Sequence, residues 1–237
     1  MTTLFLASVT SIEEAQLAAG AGADIIDCKD PGRGALGALP VTLVRDIAQA
    51  LPGELIVSAT IGDLACEPEA VVAAARAMAA SGCDIIKVGL FPGGDARGTI
   101  AALGACPFPG THLVGLLLAD RTPDLGLIEA MADAGFAGAM LDTAGKARGT
   151  LRDHLSDEQL AEFLTRVQAR GLFAGLAGSL RVSDIASLMR LKPNVLGFRG
   201  ALCEGAVRTG PLSADAVRAV RTELDRNGHG RRGAAAE

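Results

Sequence analysis

The chain has 237 residues, of which 49% are hydrophobic and 3% aromatic, with 22 Lys and Arg against 27 Asp and Glu. This length is sufficient for one large domain that buries most of its apolar surface. A net charge of -5 and the scarcity of aromatic side chains exclude the basic, base-stacking surface of a nucleic-acid binder. The longest apolar runs fall far short of a membrane span, so we expect a soluble protein with neither nucleic acid nor membrane as a partner.

The start of the chain and its cysteines indicate a cytoplasmic location. No Lys or Arg precedes Lys29, so the basic region of a secretory signal is missing. The five cysteines are odd in number and form no C-x-x-C pair, which predicts neither a disulfide framework nor a zinc knuckle. The three histidines show no ligand spacing, so no metal site is expected.

Short apolar segments alternate with helical patterns along the whole chain. Eight segments are nearly continuous in apolar residues, as parallel strands covered on both faces are, and strands are predicted over residues 4–9, 24–28, 55–60, 84–88, 112–119, 137–141, 172–176 and 195–198. Capping-box patterns at residues 11–14 and 156–159 predict the starts of two helices. Further helices are predicted near residues 40–51, 68–81, 95–104, 124–134, 182–191 and 213–226.

A weak internal repeat supports this alternation. The pattern G-x-D-I-I at residues 22–26 recurs at residues 82–86, each time where a helix passes into a strand. Eight βα units in about 230 residues match the size of a single (β/α)8 TIM barrel of the α/β class. The alternative, an open doubly wound sheet, lacks a G-x-G-x-x-G motif after its first strand. We expect one catalytic domain over residues 1–226 and a disordered tail over residues 227–237.

Lysine is scarce, with four lysines against eighteen arginines, and three of the four lie at predicted strand ends. Lys29 directly follows the second strand, Lys87 lies in the C-terminal half of the fourth, and Lys146 lies just beyond the sixth. The C-terminal ends of barrel strands form the face on which active sites are built. Lys192, at the end of a helix before a proline, is predicted to be an ordinary exposed residue.

Alternation along the strands predicts that lysines and carboxylates meet at this face. Asp27 and Lys29 are two residues apart and therefore point to the same side. Alignment of the repeats places Asp27 level with Lys87, and Lys29 level with Asp142. One interpretation is a set of ion pairs that only closes the top of the barrel, since burying such charges unpaired is costly. The other is a reactive lysine, because a second cation and partial desolvation lower the pKa of an amine toward neutrality.

The ends of the seventh and eighth strands predict a phosphate site. The seventh strand runs into Gly178 and Ser179, and the eighth into Arg199 and Gly200. Many barrels hold a phosphate at this edge with backbone N–H groups, and glycine allows the backbone to approach an anion closely. The alternative is a pair of turns that need flexible backbone. The glycine-rich segment 30–34 is either a mobile loop over the site or an inert turn.

Other polar and thiol side chains have simpler interpretations. Cys28 and Cys83 are interpreted as small buried packing residues. His112 begins its strand at the opposite end of the barrel. Ser58 and Asp63 flank the top of the third strand and either contact substrate or cap a turn.

Five sequence blocks resemble, in order, the (5-formylfuran-3-yl)methyl phosphate synthase family of methanogens and methylotrophic bacteria. The blocks are DIIDCKDP at residues 24–31, SATIGD at 58–63, DIIKVGL at 84–90, MLDTAGK at 140–146 and LAGSL at 176–180. The resemblance implies a (β/α)8 barrel that condenses two molecules of glyceraldehyde 3-phosphate into a furan aldehyde bearing a hydroxymethyl phosphate. Phosphate and water are released, and the product is the furan precursor of methanofuran or methylofuran.

The resemblance also implies roles for individual residues. Lys29 corresponds to the Schiff-base lysine and Lys87 to the proton acceptor, with Asp27, Asp142 and Lys146 assisting. No cofactor is implied, and the partner is a small phosphorylated substrate, glyceraldehyde 3-phosphate. A class I aldolase or isomerase for another small sugar phosphate needs the same lysines, and a non-catalytic barrel that binds a phosphorylated metabolite is a third alternative. The sequence does not show the oligomeric state, and a homo-oligomer is compatible with it.

Overall fold

Eight parallel strands close into one barrel in chain order, in a computed structural model that describes residues 2–145 and 149–228. The strands are β1 Leu4–Val9, β2 Ile25–Cys28, β3 Ile56–Thr60, β4 Ile85–Gly89, β5 His112–Leu118, β6 Gly138–Asp142, β7 Phe173–Leu176 and β8 Val195–Phe198. The α-helices are α1 Ile12–Gly20, α2 Val41–Ala50, α3 Pro68–Ala79, α4 Ala96–Gly104, α5 Leu127–Asp133, α6 Leu151–His154, α7 Asp157–Ala169, α8 Ile185–Arg190 and α9 Ala214–Gly228. The predicted α/β class and (β/α)8 barrel are confirmed.

The strand ends lie within one residue of their predicted positions, whereas the helix ends differ more. Helix α6 is one turn long, too short to show hydrophobic periodicity, so the sequence does not predict it. Helix α9 continues through Asn227 and Gly228, which the sequence assigns to the tail, and residues 229–237 of that predicted tail lie outside the described residues. No helix within the described ranges is long and apolar enough to cross a membrane.

Alternate residues of the strands fill the barrel interior. The apolar side chains that point inward form a buried cluster that includes Leu6, Ile25, Ile85, Val114, Leu116, Met140 and Val195. Their sequence neighbours face outward and pack against the helices, because successive side chains of a strand point to opposite sides. Gly175 is required at its position, since a Cβ there would lie 2.5 Å from Cγ of Met140. The inward-facing charged residues Asp27, Lys87 and Asp142 each follow an apolar member of this cluster by two positions on the same strand.

The two predicted capping boxes form to different extents. At α7, Ser156 and Gln159 cap each other's backbone N–H groups, as predicted. At α1, the hydroxyl of Ser11 accepts a hydrogen bond from the N–H of Glu14, but the carboxylate of Glu14 pairs with Arg199. Glu14 therefore connects the start of α1 to the end of β8. Its carboxylate does not return to the N–H of Ser11, so the capping box at α1 is only half formed.

Candidate active site

Four charged side chains point into the barrel at the C-terminal ends of β2, β4 and β6. As whole residues, Asp27, Lys29, Lys87 and Asp142 are 0%, 6%, 3% and 1% exposed. Lys87 Nζ lies 2.7 Å from Asp27 Oδ1, and Lys29 Nζ lies 3.5 Å from Asp142 Oδ2. The structure thus brings together the four residues that strand alternation predicts to converge.

The strand register agrees with the alignment of the sequence repeats once the tilt of the strands is counted. Asp27 lies opposite Ser58, and Ser58 lies opposite Ile85. Because tilted strands in a closed barrel are shifted along one another, by about one residue per strand in an eight-stranded barrel of shear eight, the residue at the height of Asp27 two strands on is Lys87. The prediction that Asp27 and Lys87 are level is therefore confirmed, and Lys87 reaches Asp27 directly.

Asp27 accepts hydrogen bonds on both carboxylate oxygens. The hydroxyl of Ser8 donates to Oδ2 and that of Ser58 to Oδ1, each at 2.8 Å. Burial alone raises the pKa of Asp27, but the charges of Lys87 and Lys29 and the hydrogen bond from Ser58 outweigh it and hold the pKa below its usual value. Asp27 is therefore a carboxylate at neutral pH. Ser58 supports this carboxylate and does not cap a turn.

The amine of Lys87 is shifted toward its neutral form. Burial lowers its pKa, and the nearby charge of Lys29 lowers it further. Asp27 and Asp142 act in the opposite direction, yet the pKa stays below its ordinary value. An amine with a lowered pKa is available as a base or nucleophile closer to neutral pH.

A cavity of about 680 Å³ opens above the charged layer. Its lining includes the described residues that the sequence proposes for the site, namely Asp27, Lys29, Lys87, Asp142, Gly178, Ser179, Arg199 and Gly200. The volume is in the range of small-molecule sites. Ion pairs that only closed the barrel would need no such cavity, so the geometry favours a binding site. Lys146, the remaining predicted residue, lies outside the described residues.

The segment after β7 turns sharply at two residues with positive φ, Gly178 at 112° and Ser179 at 52°. Glycine is required at position 178, because a Cβ there would lie 3.2 Å from the backbone nitrogen of Thr143. Within residues 2–145 and 149–228, the backbone N–H groups of Gly178, Ser179 and Gly200 have no protein acceptor. Open N–H groups that line a cavity are suited to an anion.

Arg199 donates every side-chain N–H to the protein. Its Nη atoms pair with the carboxylate of Glu14 at 2.6 and 3.2 Å and donate to the carbonyls of Ser8 and Gly210, while Nε donates to the carbonyl of Arg208 at 2.9 Å. A guanidinium has five N–H donors, and each has an acceptor here. The sequence proposes Arg199 as a phosphate ligand, but the structure uses it to hold the segments after β1 and β8 together.

Ser8 and Arg208 line the cavity but are missing from the sequence-based set. Strand alternation could have identified Ser8, because it lies two residues after the inward-facing Leu6 on β1 and therefore also points inward. Arg208 lies in the irregular segment between β8 and α9, where no periodicity indicates the direction of a side chain. Burial lowers the pKa of the Arg208 guanidinium, and the nearby carboxylate of Asp142 partly opposes this effect.

The segment after β2 is a turn tied to its surroundings. Residues 30–34 contain the 3₁₀ turn Pro31–Arg33, and the carboxylate of Asp30 accepts a hydrogen bond inside it. The carboxylate of Asp63 accepts hydrogen bonds from two backbone N–H groups of the adjoining segment, at 2.9 and 2.6 Å. Asp63 therefore has a structural role, but it fixes the segment after β2 and not a turn of its own segment.

The remaining candidates lie away from this chemistry. Cys28 and Cys83 are buried free thiols whose pKa is raised by burial, which confirms their interpretation as packing residues. His112 begins β5 at the far end of the barrel, and Lys192 is exposed. In the part of the chain that the structure describes, no group of three or more His, Cys, Asp or Glu side chains is placed to hold a metal ion.

Solved structures share this fold. Phosphoribosyl anthranilate isomerase from Thermus thermophilus superposes with a TM-score of 0.67 at 18% sequence identity, over 95% of this chain and 99% of its own. 3-Hexulose-6-phosphate synthase from Salmonella typhimurium superposes with a TM-score of 0.64 at 16% identity, over 95% of this chain and 100% of its own. At these identities the similarity concerns the fold alone.

Sequence relatives identify the family. A protein from Methylorubrum extorquens is 42% identical over 220 residues, covering 91% of each chain. The (5-formylfuran-3-yl)methyl phosphate synthase of Methanothermobacter thermautotrophicus is 35% identical over 238 residues, covering 94% of this chain and 99% of its own. The family model described as 4-HFC-P synthase matches residues 5–221, nearly the whole barrel. The chain therefore belongs to the 4-HFC-P synthase family, as the sequence blocks around Lys29, Lys87 and Asp142 predict.

Proposed function

We propose that this protein condenses two molecules of glyceraldehyde 3-phosphate into (5-formylfuran-3-yl)methyl phosphate, with release of phosphate and water. Family membership and the name of the Methanothermobacter relative support this product. The observation that carries the mechanism is a pair of lysines at the base of one cavity, each beside its own carboxylate. In this role the enzyme supplies the furan of methanofuran or methylofuran.

Lys29 forms the Schiff base. Its side chain is 8% exposed against 3% for Lys87, and its contact with Asp142 is longer, at 3.5 Å, than the 2.7 Å contact between Lys87 and Asp27. A covalent nucleophile needs access and freedom to approach the substrate, and Lys29 has more of both. Its neutral amine attacks the substrate carbonyl, and loss of water leaves a protonated imine that draws electrons from the adjacent carbon.

Lys87 accepts the proton from that carbon. Its amine is held in fixed geometry by Asp27, and its lowered pKa makes the neutral form available for this step. The carboxylate of Asp27 stabilises the ammonium that results. Asp142, beside Lys29, and Lys146, which follows the same strand end, assist further proton transfers.

The N–H groups of Gly178, Ser179 and Gly200 bind a substrate phosphate at the rim. They have no acceptor among the described residues and line the same cavity as the lysines. Phosphate binding by backbone leaves the lysines below it for chemistry. Arg199 contributes by fixing the segment that carries Gly200, through its ion pair with Glu14.

Borohydride trapping tests this assignment. The enzyme is reduced in the presence of glyceraldehyde 3-phosphate, and peptide mass spectrometry and product analysis follow. We expect an adduct on Lys29, and Lys29→Arg is expected to lose both adduct and product. Lys87→Arg is expected to lose product formation by about 10²- to 10⁴-fold, the usual contribution of a general base, while Lys29 is still trapped. Arginine keeps the charge but is neither a nucleophile nor a base at neutral pH.

Lys192→Arg is the matched control, because Lys192 is exposed and does not line the cavity. Both readouts should match the wild type. An adduct on Lys87 would overturn the division of roles. An adduct without a furan product would favour an aldolase or isomerase for another sugar phosphate, and the absence of both adduct and turnover would favour a non-catalytic barrel.

A further inference from the structure

Arg208 presents a guanidinium to the cavity with most of its donors open. The residue is half-buried, and its Nη2 donates to the carbonyl of Gly34 at 3.2 Å. Among the described residues, no carboxylate forms an ion pair with it and no other acceptor receives its side-chain donors. A guanidinium carries five N–H donors, so most of them face the cavity without a protein partner.

The position of Arg208 is fixed by its neighbours. Its carbonyl accepts a hydrogen bond from Nε of Arg199 at 2.9 Å. Its Cβ lies 3.8 Å from the position that a Cβ on Gly200 would occupy, so the side chain starts beside the end of β8. The guanidinium ends at Gly34, in the segment after β2. Around the barrel β2 is three strands away from β7, so the guanidinium at Gly34 is set apart from the turn at Gly178, although the backbone of Arg208 lies beside Gly200.

A half-buried cation that forms no ion pair with a described carboxylate indicates an anionic ligand. Burial of an unpaired charge is unfavourable, and a bound anion removes that cost. The planar fork of a guanidinium matches the oxygens of phosphate, to which it can donate two parallel hydrogen bonds. The proposed reaction brings two phosphorylated molecules into one cavity of about 680 Å³, but the turn at Gly178 and Gly200 accounts for one phosphate.

We infer that Arg208 binds the phosphate of the second substrate molecule, between the ends of β8 and β2 and apart from the phosphate held at the turn of Gly178 and Ser179. The identity of the substrate rests on the proposed function, whereas the second anion position rests on Arg208 and its surroundings. Arg208 is then a specificity-determining residue, because it selects a second reactant that carries phosphate.

Titration with inorganic phosphate, followed by calorimetry and ³¹P NMR, tests the inference without requiring turnover. Arg45→Gln is the matched control, since Arg45 also donates one Nη2 hydrogen bond to a carbonyl, that of Ala80 at 3.0 Å, and does not line the cavity. The wild type and Arg45→Gln should bind two phosphates per chain. Arg208→Gln should keep one with unchanged affinity and bind the other roughly 10- to 100-fold more weakly, the loss expected for a hydrogen bond to a charged group.

A second measurement separates ligand binding from folding. Arg208→Lys keeps the charge but not the planar fork, so its second phosphate should bind with intermediate affinity. Both variants should still be trapped on Lys29 by borohydride, while furan formation falls in the same order as phosphate affinity.

Two results would overturn the role of Arg208. Either the wild type binds a single phosphate that Arg208→Gln abolishes, or Arg208→Gln binds phosphate as the wild type does. Two bound phosphates without any furan product would instead refute the proposed function and leave the second anion position standing.

Discussion

Asp27 and Lys87 each determine the charge state of the other. Asp27 has no exposed surface, and its carboxylate would be costly to bury without the ammonium and hydroxyl groups around it. Burial and Lys29 both lower the pKa of Lys87, and Asp27 is the main group that opposes them. The balance of these effects sets the pH at which Lys87 becomes a base.

Asp27→Asn should shift the pH dependence of product formation to lower pH. The rate rises with pH as Lys87 loses its proton, so the rising limb follows the pKa of Lys87. The carboxylate of Asp27 raises that pKa, and its removal leaves only Asp142 to oppose burial and Lys29. The measurement is the pH profile of kcat.

Asp84→Asn is the control, because Asp84 lies at the other end of the barrel, where its carboxylate accepts a hydrogen bond from the N–H of Val57, and it should leave the rising limb at its wild-type pH. A shift of the limb to higher pH in Asp27→Asn would refute the assignment of Lys87 as the base.

At the scale of elements, the phosphate turn is fixed from two neighbouring strand ends. The carbonyl of Gly178 accepts a hydrogen bond from the N–H of Leu151 at 2.8 Å, so α6 begins against the turn. On the other side, Thr143 after β6 leaves no room for a Cβ at position 178. These contacts hold the turn with its N–H groups toward the cavity, although the turn belongs to no regular element.

Gly178→Ala should weaken phosphate binding. The substitution places a Cβ at positive φ and within 3.2 Å of the Thr143 backbone, so the turn must move and its N–H groups with it. Gly171→Ala is the control, because Gly171 also has positive φ, at 74°, but nothing lies within 4 Å of the new Cβ. Both variants pay about 1–2 kcal/mol for the left-handed backbone. Only Gly178→Ala should raise the inhibition constant of inorganic phosphate, and an equal rise in both variants would show that the effect is general destabilisation.

The direction of the strand side chains, into the barrel or toward the helices, was predictable, because their alternation is a local property of the sequence. The pattern along β2, β4 and β6 is sufficient to place Asp27, Lys87 and Asp142 on one face of the sheet. The relative heights of Asp27 and Lys87 were predictable as well, because a shift of one residue per strand keeps equivalent positions of the repeat level around the barrel. The partners of Arg199 and the direction of Arg208 depend on irregular segments that are distant in sequence, and no local pattern encodes them.

At the scale of the molecule, the barrel closes where the two ends of the chain meet. Strand β1 pairs with β8, with Leu4 opposite Val195 and Ala7 opposite Phe198. Above this seam, Glu14 accepts hydrogen bonds from Arg199 and from the N–H of Leu212, near the start of α9. One carboxylate thus joins α1, the end of β8 and the approach to α9, and the segment that carries Gly200 and Arg208 depends on it.

Glu14→Gln should therefore destabilise the whole barrel by about 3–5 kcal/mol at pH 7, since it leaves the largely buried Arg199 without its counter-charge. Burial raises the pKa of Glu14, but Arg199 and Thr10 outweigh burial and hold it below its usual value. The stabilisation by the carboxylate is thus complete above the unfolded pKa of about 4.3 and is lost as pH falls through the lower folded value. Urea unfolding should show the gap between wild type and variant narrowing on acidification. Glu129→Gln is the control, because it breaks the much more exposed ion pair with Arg166 and should change the free energy of unfolding little. An equal loss of stability in the two variants would exclude this role for Glu14. A stability difference between wild type and Glu14→Gln that does not change with pH would exclude it as well.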